Sequence, residues 1–272
     1  MKSRSLAWPA RLGLMLVALV WLLPYLWMLL TSFKSLRELL RAPLRFLPAE
    51  PSLEAYRQAL TAMPVARYFF NTSLMALAIA ALQLALALPA GYALAKLSFR
   101  GRALSLGLIL STLLIPAQVR FVPVFVMSAQ LALANTFAAL VLPFAVSALG
   151  TFLVRQALLS VPDAVIEAAR LDGASELTIV FRILPPLLVP TLVSLFLFSF
   201  VFHWNDYFWP LVMTTDDSVR TLPLGVALLR EQGTGVRWHI VMAGNVLLSA
   251  PILAVFALAQ RQLLRAITGS SA

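Results

Sequence analysis

The sequence contains no cysteine, and only 12% of its 272 residues are charged. The missing thiols exclude disulfide staples, thiol catalysis and thiolate metal centres within the chain. The missing charge is the stronger constraint, because soluble domains carry roughly 25% Asp, Glu, Lys and Arg. Acids are the scarcer sign, at 11 against 21 Lys and Arg. The two histidines, His203 and His239, lie far apart in sequence. No G-x-x-x-x-G-K-[ST] run occurs, so the chain has no phosphate-cradling loop with which to hydrolyse ATP by itself. H-E-x-x-H and G-x-S-x-G are absent too, which removes the usual signatures of a membrane-embedded hydrolase. The Asp-Gly and Ala-Arg pieces near 169–173 lack the further aspartates that a phosphatidyl-alcohol transferase needs. No catalytic or metal-ligating set and no cofactor is therefore expected.

Apolar residues are abundant: 61% of the chain is hydrophobic and the mean hydropathy is +0.90. A soluble core of this size could not hide that much apolar surface, so the expectation is an all-α polytopic membrane protein. In a soluble protein, the net charge of +10 would raise nucleic acid as a partner. In a membrane protein it follows topology and anionic lipid instead. The predicted environment is membrane lipid, with no nucleic acid.

Charged residues punctuate the sequence, and the gaps between them locate the spans. A helix needs about 20 apolar residues to cross the hydrocarbon core. Uncharged runs occupy 12–33, 68–95, 183–205 and 238–260. From 103 to 154 the only charge is Arg120, and that stretch suits two spans with a break near Ala134-Asn135-Thr136. Six spans result. The first is too long for a signal-peptide core and no A-x-A site follows it, so it reads as a retained helix.

With a cytoplasmic N-terminus, eleven Lys and Arg fall inside and ten outside. The tie is broken by the short loop Lys96–Arg102, which is basic and has no acid. It places both termini in the cytoplasm. The loop 34–67, with Pro43, Pro48, Pro51 and Pro64, is then extracytoplasmic and mostly extended, as a spacer or a binding element.

Ser160 to Pro186 is the most informative stretch. Ser160 and Asp163 form an S-x-x-D capping pattern with Pro162 near the first helical position, predicting a short helix to about Leu171. Asp172-Gly173 turns the chain, and a second amphipathic piece runs until Pro185-Pro186 stops it. This is an elbow outside the bilayer core. Ala168 and Ala169 offer a narrow surface for close approach by another protein, with Glu167, Arg170 and Asp172 around it. An ordinary amphipathic surface helix fits the same pattern.

The exact residues resemble a known element. Glu167-Ala168-Ala169, then Asp172-Gly173-Ala174, then Ile183-Leu184-Pro185, look like the EAA loop of ABC importer permeases. Trp204-Asn205-Asp206-Tyr207-Phe208-Trp209-Pro210-Leu211 is similar to a signature of the carbohydrate-uptake branch, W-N-x-[FY]-x-W-P-L. Leu23-Pro24-Tyr25 with Ser32-Phe33-Lys34, Phe70-Asn71-Thr72-Ser73, Ala90-Gly91-Tyr92-Ala93-Leu94-Ala95 and Phe152–Gln156 extend the likeness over nearly the whole chain.

The resemblance implies a type I permease fold of six helices with a cytoplasmic coupling helix in the inner membrane. It also implies a permease core at 67–264, preceded by a tail, first helix and loop at 1–66 and followed by a short tail at 265–272. Partners implied by the family are two ATP-binding subunits, a second permease and an extracytoplasmic solute-binding protein. Glu167, Ala168, Ala169, Asp172 and Gly173 would couple to the ATPase, with Glu167 meeting a basic residue there. The implied cargo is a sugar or related solute. The chain end, Arg265 to Ala272, lacks the basic glycine-rich tail of the maltose-type subunit and is more like the glycerol-3-phosphate permease of the same branch. That relative also carries an Arg between two prolines, as Pro116 to Pro123 does here.

Polar residues at membrane depth are candidates for the solute path or gate, because lipid burial costs several kcal/mol. They are Asn71, Gln83, Gln118, Arg120, Gln130, His203, Asn205 and Asn245, with Trp204 and Tyr207 at the edge of the fifth span. Interhelical glue is the competing role for each. Arg120 either ends a short third span or, if that helix continues to about Leu131, lies deep and faces water. In the second case it could attract an anionic solute such as a glycerol phosphate. An ion-coupled transporter would need an acid within a span, and only Asp206, at an edge, comes close.

Overall fold

The computed structural model describes residues 8–230 and 237–268. The last four residues of the chain end discussed above, and the basic residues before Trp8, lie outside the described residues. Among the described residues there is no strand. The helices are α1 (Trp8–Ser32), α2 (Leu36–Arg41), α3 (Glu54–Ala62), α4 (Val65–Lys96) and α5 (Arg102–Ser111). They continue with α6 (Ala117–Gln130), α7 (Phe137–Val141), α8 (Ala148–Leu159), α9 (Asp163–Leu171) and α10 (Glu176–Thr178). The last four are α11 (Val189–Trp204), α12 (Phe208–Met213), α13 (Leu222–Leu228) and α14 (Trp238–Thr268).

Four helical stretches are long and apolar enough to cross a membrane: Leu12–Ser32, Val65–Lys96, Pro185–Trp204 and Trp238–Ala257. Two bent helix pairs pass the same test of length and composition, which gives the six expected when each pair counts as one span. The 25 residues of α1 extend about 38 Å at 1.5 Å per residue, enough for the hydrocarbon core. Its Leu14, Met15, Val20 and Trp21 are exposed, as lipid-facing side chains must be. Pro24, Pro89 and Pro251 sit inside α1, α4 and α14, a pattern that transmembrane helices tolerate.

The third span departs from expectation. Arg102–Leu114 and Ala117–Gln130 meet at 100°. Ile115 is extended (φ −84°, ψ 115°) because it precedes Pro116, whose ring disfavours the α region there. The helix does run past Arg120 to Gln130, but as a separate limb set off by the bend, so the third span is not the single continuous helix that the sequence suggested. Arg120 lies exposed on the limb beyond the bend. The fourth span bends by 44° between Phe144 and Ala148. The turn near Ala134-Asn135-Thr136 is where it was expected. Ala132 and Asn135 have positive φ (53° and 58°), and the Thr136 hydroxyl caps α7 by accepting from Ala139 N at 3.2 Å.

The loop 34–67 is not mostly extended, since it contains α2 and α3. Ser35-Leu36-Arg37-Glu38 is an S-x-x-E start signal, and the Ser35 hydroxyl accepts from Glu38 N. Pro43, Pro48 and Pro51 lie between these two helices, and Pro64 separates α3 from α4.

Contacts divide the chain into two compact units, 1–65 with 225–251 and 66–224 with 252–272. In the first, Lys34 is 1% exposed. Its ammonium donates to the Arg45 carbonyl and lies 5.0 Å from the Trp27 ring centroid. Both contacts offset the cost of burying the charge. In the second unit one apolar cluster joins α4, α7 and α12 through Met75, Ile79, Leu140, Trp209 and Met213. Another joins α4, α8, α9 and α11 through Tyr92, Val154, Ile166, Ile179 and Leu195.

Candidate functional site

The elbow begins where α8 ends. Ser160 is the C-cap of α8 and its hydroxyl donates back to the Ala157 carbonyl at 2.7 Å. It does not cap α9, which corrects the S-x-x-D reading; Pro162 occupies the N-cap with no side-chain bond. Asp163 instead accepts from Lys96. The α9 helix then runs to Leu171 as expected. Ile166 and Ala169 are buried at i, i+3 spacing, while Glu167, Ala168 and Leu171 face outward. Ala169 therefore packs into the core, and Ala168 alone of the pair reaches the surface.

Gly173 has φ +78° and ends α9. Ala174 N donates to Ala169 O and Gly173 N to Arg170 O, each at 3.0 Å, which satisfies the last carbonyls. A Cβ on Gly173 would meet nothing within 4 Å, so glycine is required by its backbone conformation and not by space. Beyond it, Pro185-Pro186 does not stop the helical path. The prolines lack the N–H groups that would continue it, so Ile179–Ile183 widens into a π turn, with Leu184 N bonding Ile179 O at 2.9 Å. Pro185–Leu188 then tightens into a 3-10 turn that leads into α11.

The outward face of the elbow combines Glu167, Ala168, Leu171, Asp172 and Leu177. Leu171 is 89% exposed and Leu177 70% exposed. The sequence reading did not single out either leucine, although two large apolar residues beside acids on a polar segment were the available signal. The inward side carries a second set of contacts. Tyr92 OH donates to Glu176 Oε2 at 2.6 Å, and Arg170 Nε donates to Glu176 Oε1 at 2.8 Å. Arg170 Nη2 also donates to Tyr92 OH at 3.0 Å. The bond from Arg170, then that from Tyr92, holds the Glu176 carboxyl below the usual carboxylate range.

The basic loop used for orientation has structural work as well. Lys96 Nζ donates to Val161 O and Asp163 Oδ1, both at 2.6 Å. Arg102 donates to Leu94 O at 2.8 Å and Ala95 O at 3.0 Å, and Arg155 to Leu94 O at 3.2 Å. The final turn of α4 would otherwise leave those carbonyls without partners.

The polar candidates separate into two groups. Asn71, Gln83 and His203 are buried. Asn71 Nδ2 donates to Ser218 O at 3.0 Å and Arg220 O at 2.8 Å. Gln83 Nε2 donates to Phe144 O at 2.8 Å, a carbonyl next to the break in the fourth span, and lies 3.5 Å from His203 Nε2. Gln118, Arg120, Gln130 and Asn205 are exposed. Asn205 and the half-buried Asn245 bond to carbonyls one turn back, Val201 O and Val241 O. The aromatic run also splits. Trp204 and Trp209 are buried, Trp204 against Phe69 and Phe200, and Trp209 Nε1 donates to Ala139 O at 2.8 Å. Tyr207 and Phe208 point out. Asp206 accepts from Phe208 N and Trp209 N and so starts α12.

Residues 87–269 match the family model described as binding-protein-dependent transport system inner membrane component. The arabinooligosaccharides transport system permease protein AraQ of Halalkalibacterium halodurans is 32% identical over 269 residues, 98% of this chain and 96% of that protein. The sn-glycerol-3-phosphate transport system permease protein UgpE of Yersinia enterocolitica is 35% identical over 208 residues, 76% of this chain and 74% of that protein. A solved bacterial ABC transporter, involved in the import of the acidic polysaccharide alginate, has a similar fold. Its matched chain has a TM-score of 0.82 at 24% identity, covering 93% of this chain and 94% of that one. With its six apolar crossings and its elbow between the fourth and fifth, the chain belongs to the inner-membrane permease family of binding-protein-dependent ABC importers.

Proposed function

We propose that the elbow is where ATP-driven work enters this permease, and that the chain has no ATPase activity of its own. The observation that carries this reading is the outward face of α9 and its turn. Glu167, Ala168, Leu171 and Asp172 are exposed on a short helix whose other face is locked into the bundle. Such a segment can seat in a groove of another protein while remaining rigidly attached to its own. The occupant is one of two ATP-binding subunits, and Glu167 meets a basic side chain there. A second permease completes the pathway, and an extracytoplasmic binding protein delivers solute. Both termini and the elbow face the cytoplasm, as the basic loop argues. Closure of the ATPase pair moves the elbow with its attached spans, a rigid-body switch between inward-facing and outward-facing states.

The test is substitution on the docking face. Glu167→Lys places a cation against a basic groove, and Gly173→Val forces a β-branched residue into a left-handed turn. Both variants should insert normally but lose ATP-driven uptake and copurified ATPase. Normal uptake by both would overturn the assignment.

The cargo is a sugar or a related solute. AraQ is named for arabinooligosaccharides and UgpE for sn-glycerol-3-phosphate. The exposed Arg120 on the bent third span supports an anionic cargo such as a glycerol phosphate. Solute-dependent ATPase stimulation, measured on the assembled transporter across a sugar panel and glycerol-3-phosphate, separates these. Unchanged affinity for the phosphate in Arg120→Gln would remove the anionic reading.

A further inference from the structure

The elbow is continuous in sequence with the fourth and fifth spans. The second span, α4, has no such covalent link. It is nevertheless bound to the elbow at both ends of the elbow's short course. At the entrance, Lys96 donates to Val161 O and to Asp163 Oδ1, each at 2.6 Å. The Lys96 side chain is 8% exposed, so water competes little for its ammonium. At the exit, Glu176 accepts from Tyr92 OH at 2.6 Å and from Arg170 Nε at 2.8 Å. Arg170 Nη2 closes the triangle on Tyr92 OH at 3.0 Å.

Next to the Tyr92 tie, α4 also lies close against α8, the helix that leads into the elbow. A Cβ on Gly91 would fall 2.7 Å from Val154 Cγ1 and 3.0 Å from Arg155 N. Tyr92 and Ala95 of α4 share one buried cluster with Ile166, Ala169 and Ile179 of the elbow. Tyr92 and Lys96 are four residues apart on α4, and so lie on one face. That face is the one turned to the elbow.

We propose that Tyr92, Lys96, Asp163, Arg170 and Glu176 form a two-point clamp that makes the second span a driven element, moving with the elbow on every ATP cycle. These are positioning residues, since none of them belongs to the docking face. With only the covalent links, a push on the elbow would reach α4 through apolar contacts that can slide. Two charge-assisted ties, one at the start of α9 and one just beyond its end, prevent sliding and rotation alike. The clamp rests on the elbow being the ATPase-docking segment.

The experiment uses the whole transporter, reconstituted with its ATPase subunits and binding protein. Tyr92→Phe removes one oxygen and keeps the ring; Glu176→Ala removes the shared acceptor; Glu176→Gln keeps an acceptor oxygen. Copurified ATPase and basal ATP hydrolysis should stay as in the parent. Solute imported per ATP should fall about five- to tenfold in Tyr92→Phe combined with Glu176→Ala, with Glu176→Gln recovering much of the loss. Should the alanine variant fail to insert, Tyr92→Phe alone carries the test, because its change of volume is a single atom. An unchanged ratio of uptake to ATP with intact copurification overturns the clamp. Failure of the docking reading has a different signature: Glu167→Lys would keep its ATPase and transport normally.

The chain has no native cysteine, so spin labels at Ser98→Cys and Ser160→Cys, both off the docking face, report one distance without background. That distance should hold constant across the nucleotide cycle with the clamp intact and vary with nucleotide in Tyr92→Phe. A distance that varies with nucleotide in the intact clamp would overturn the proposal.

Discussion

The two ends of α4 repeat one chemical arrangement with different supports. At the elbow end, Tyr92 and Arg170 both donate to Glu176. At the far end, Tyr68 OH donates to Asp217 Oδ1 at 2.5 Å and Arg220 Nη1 to the same oxygen at 3.0 Å. Around the far triad the additional bonds come from neutral side chains, and most of them reach the backbone. Asn71 holds two carbonyls of the 217–222 segment, and the Thr72 hydroxyl accepts from Leu222 N at 2.8 Å. Asn135 holds the same segment from the other side, accepting from Thr215 N at 2.9 Å and donating to Asp216 Oδ2 at 2.5 Å. Around the elbow triad the additional tie is ionic, Lys96 to Asp163. Neutral bonds to buried backbone fix a segment in one place, because breaking them strands polar groups. Charge-assisted ties between two side chains add less to static stability but hold two helices to one motion. The far end is built as an anchor and the elbow end as a joint that transmits load.

The contrast breaks most sharply at Asn71. Asn71→Ala leaves two carbonyls without their donor and a small void beside buried Thr72. We expect a loss of about 2–3 kcal/mol, read as a lower midpoint of thermal unfolding in detergent. Protease should cut more readily within 214–222. An unchanged midpoint would mean that the segment is held by its apolar contacts instead.

Next in size is Gly91, where α4 and α8 come closest. Gly91→Ala puts a methyl group 2.7 Å from Val154 Cγ1, and the nearby Arg155 N is backbone that cannot rotate away. Overpacking of this kind costs about 1–3 kcal/mol. Val154→Ala in the same chain should recover part of the loss by removing that Cγ1. No recovery would place the strain on the Arg155 backbone.

Much of this was legible in the sequence, and the reasons are specific. Span positions followed from charge, because Lys34, Arg67, Lys96 and Arg182 cannot sit in lipid. The turn at Gly173 followed from local chemistry, but the inward set of α9 did not, since Ala169 was expected at the surface with Ala168 and is buried. The bend at Ile115-Pro116 has a local cause too, but a proline inside a span more often leaves the helix intact, as Pro24 and Pro89 do. The Ser35-x-x-Glu38 start of α2 was overlooked in favour of the prolines around it. The ties themselves carry no local signal: Tyr92 and Glu176 are 84 residues apart, and Tyr68 and Asp217 are 149 apart. Nor does spacing distinguish Trp204, buried inside its own chain, from Tyr207, which points out.

The hydroxyls sharpen the comparison at smaller scale. Tyr68→Phe should lower stability by about 1 kcal/mol, since the half-exposed Asp217 loses its bond from the buried Tyr68. Tyr92→Phe should cost less in stability and more in uptake per ATP. Equal effects of the two substitutions on both measurements would erase the distinction between anchor and joint.

Acid should separate the two ends with the smallest effect. Glu176 is held below the usual carboxylate range first by Arg170 and then by Tyr92. Asp217 is held low first by Tyr68, with burial opposing and Arg220 adding. For both, the folded form favours the ionised acid. The stabilisation is therefore complete above the ordinary carboxylate range, about pH 4, and is lost as the pH falls through the lowered value. Between pH 5 and 8 neither carboxylate should contribute a slope. Below that range both triads lose their ionic bonds, but Asn71 and Thr72 do not titrate and keep 217–222 in place. Hydrogen exchange near pH 3 should accelerate at 174–180 well before it does at 217–222. High salt at neutral pH should act in the same order, because Arg170 and Glu176 have side chains 44% and 52% exposed and are screened. Equal acceleration at the two segments in acid would mean that charge, and not the neutral bonds to backbone, holds the far end.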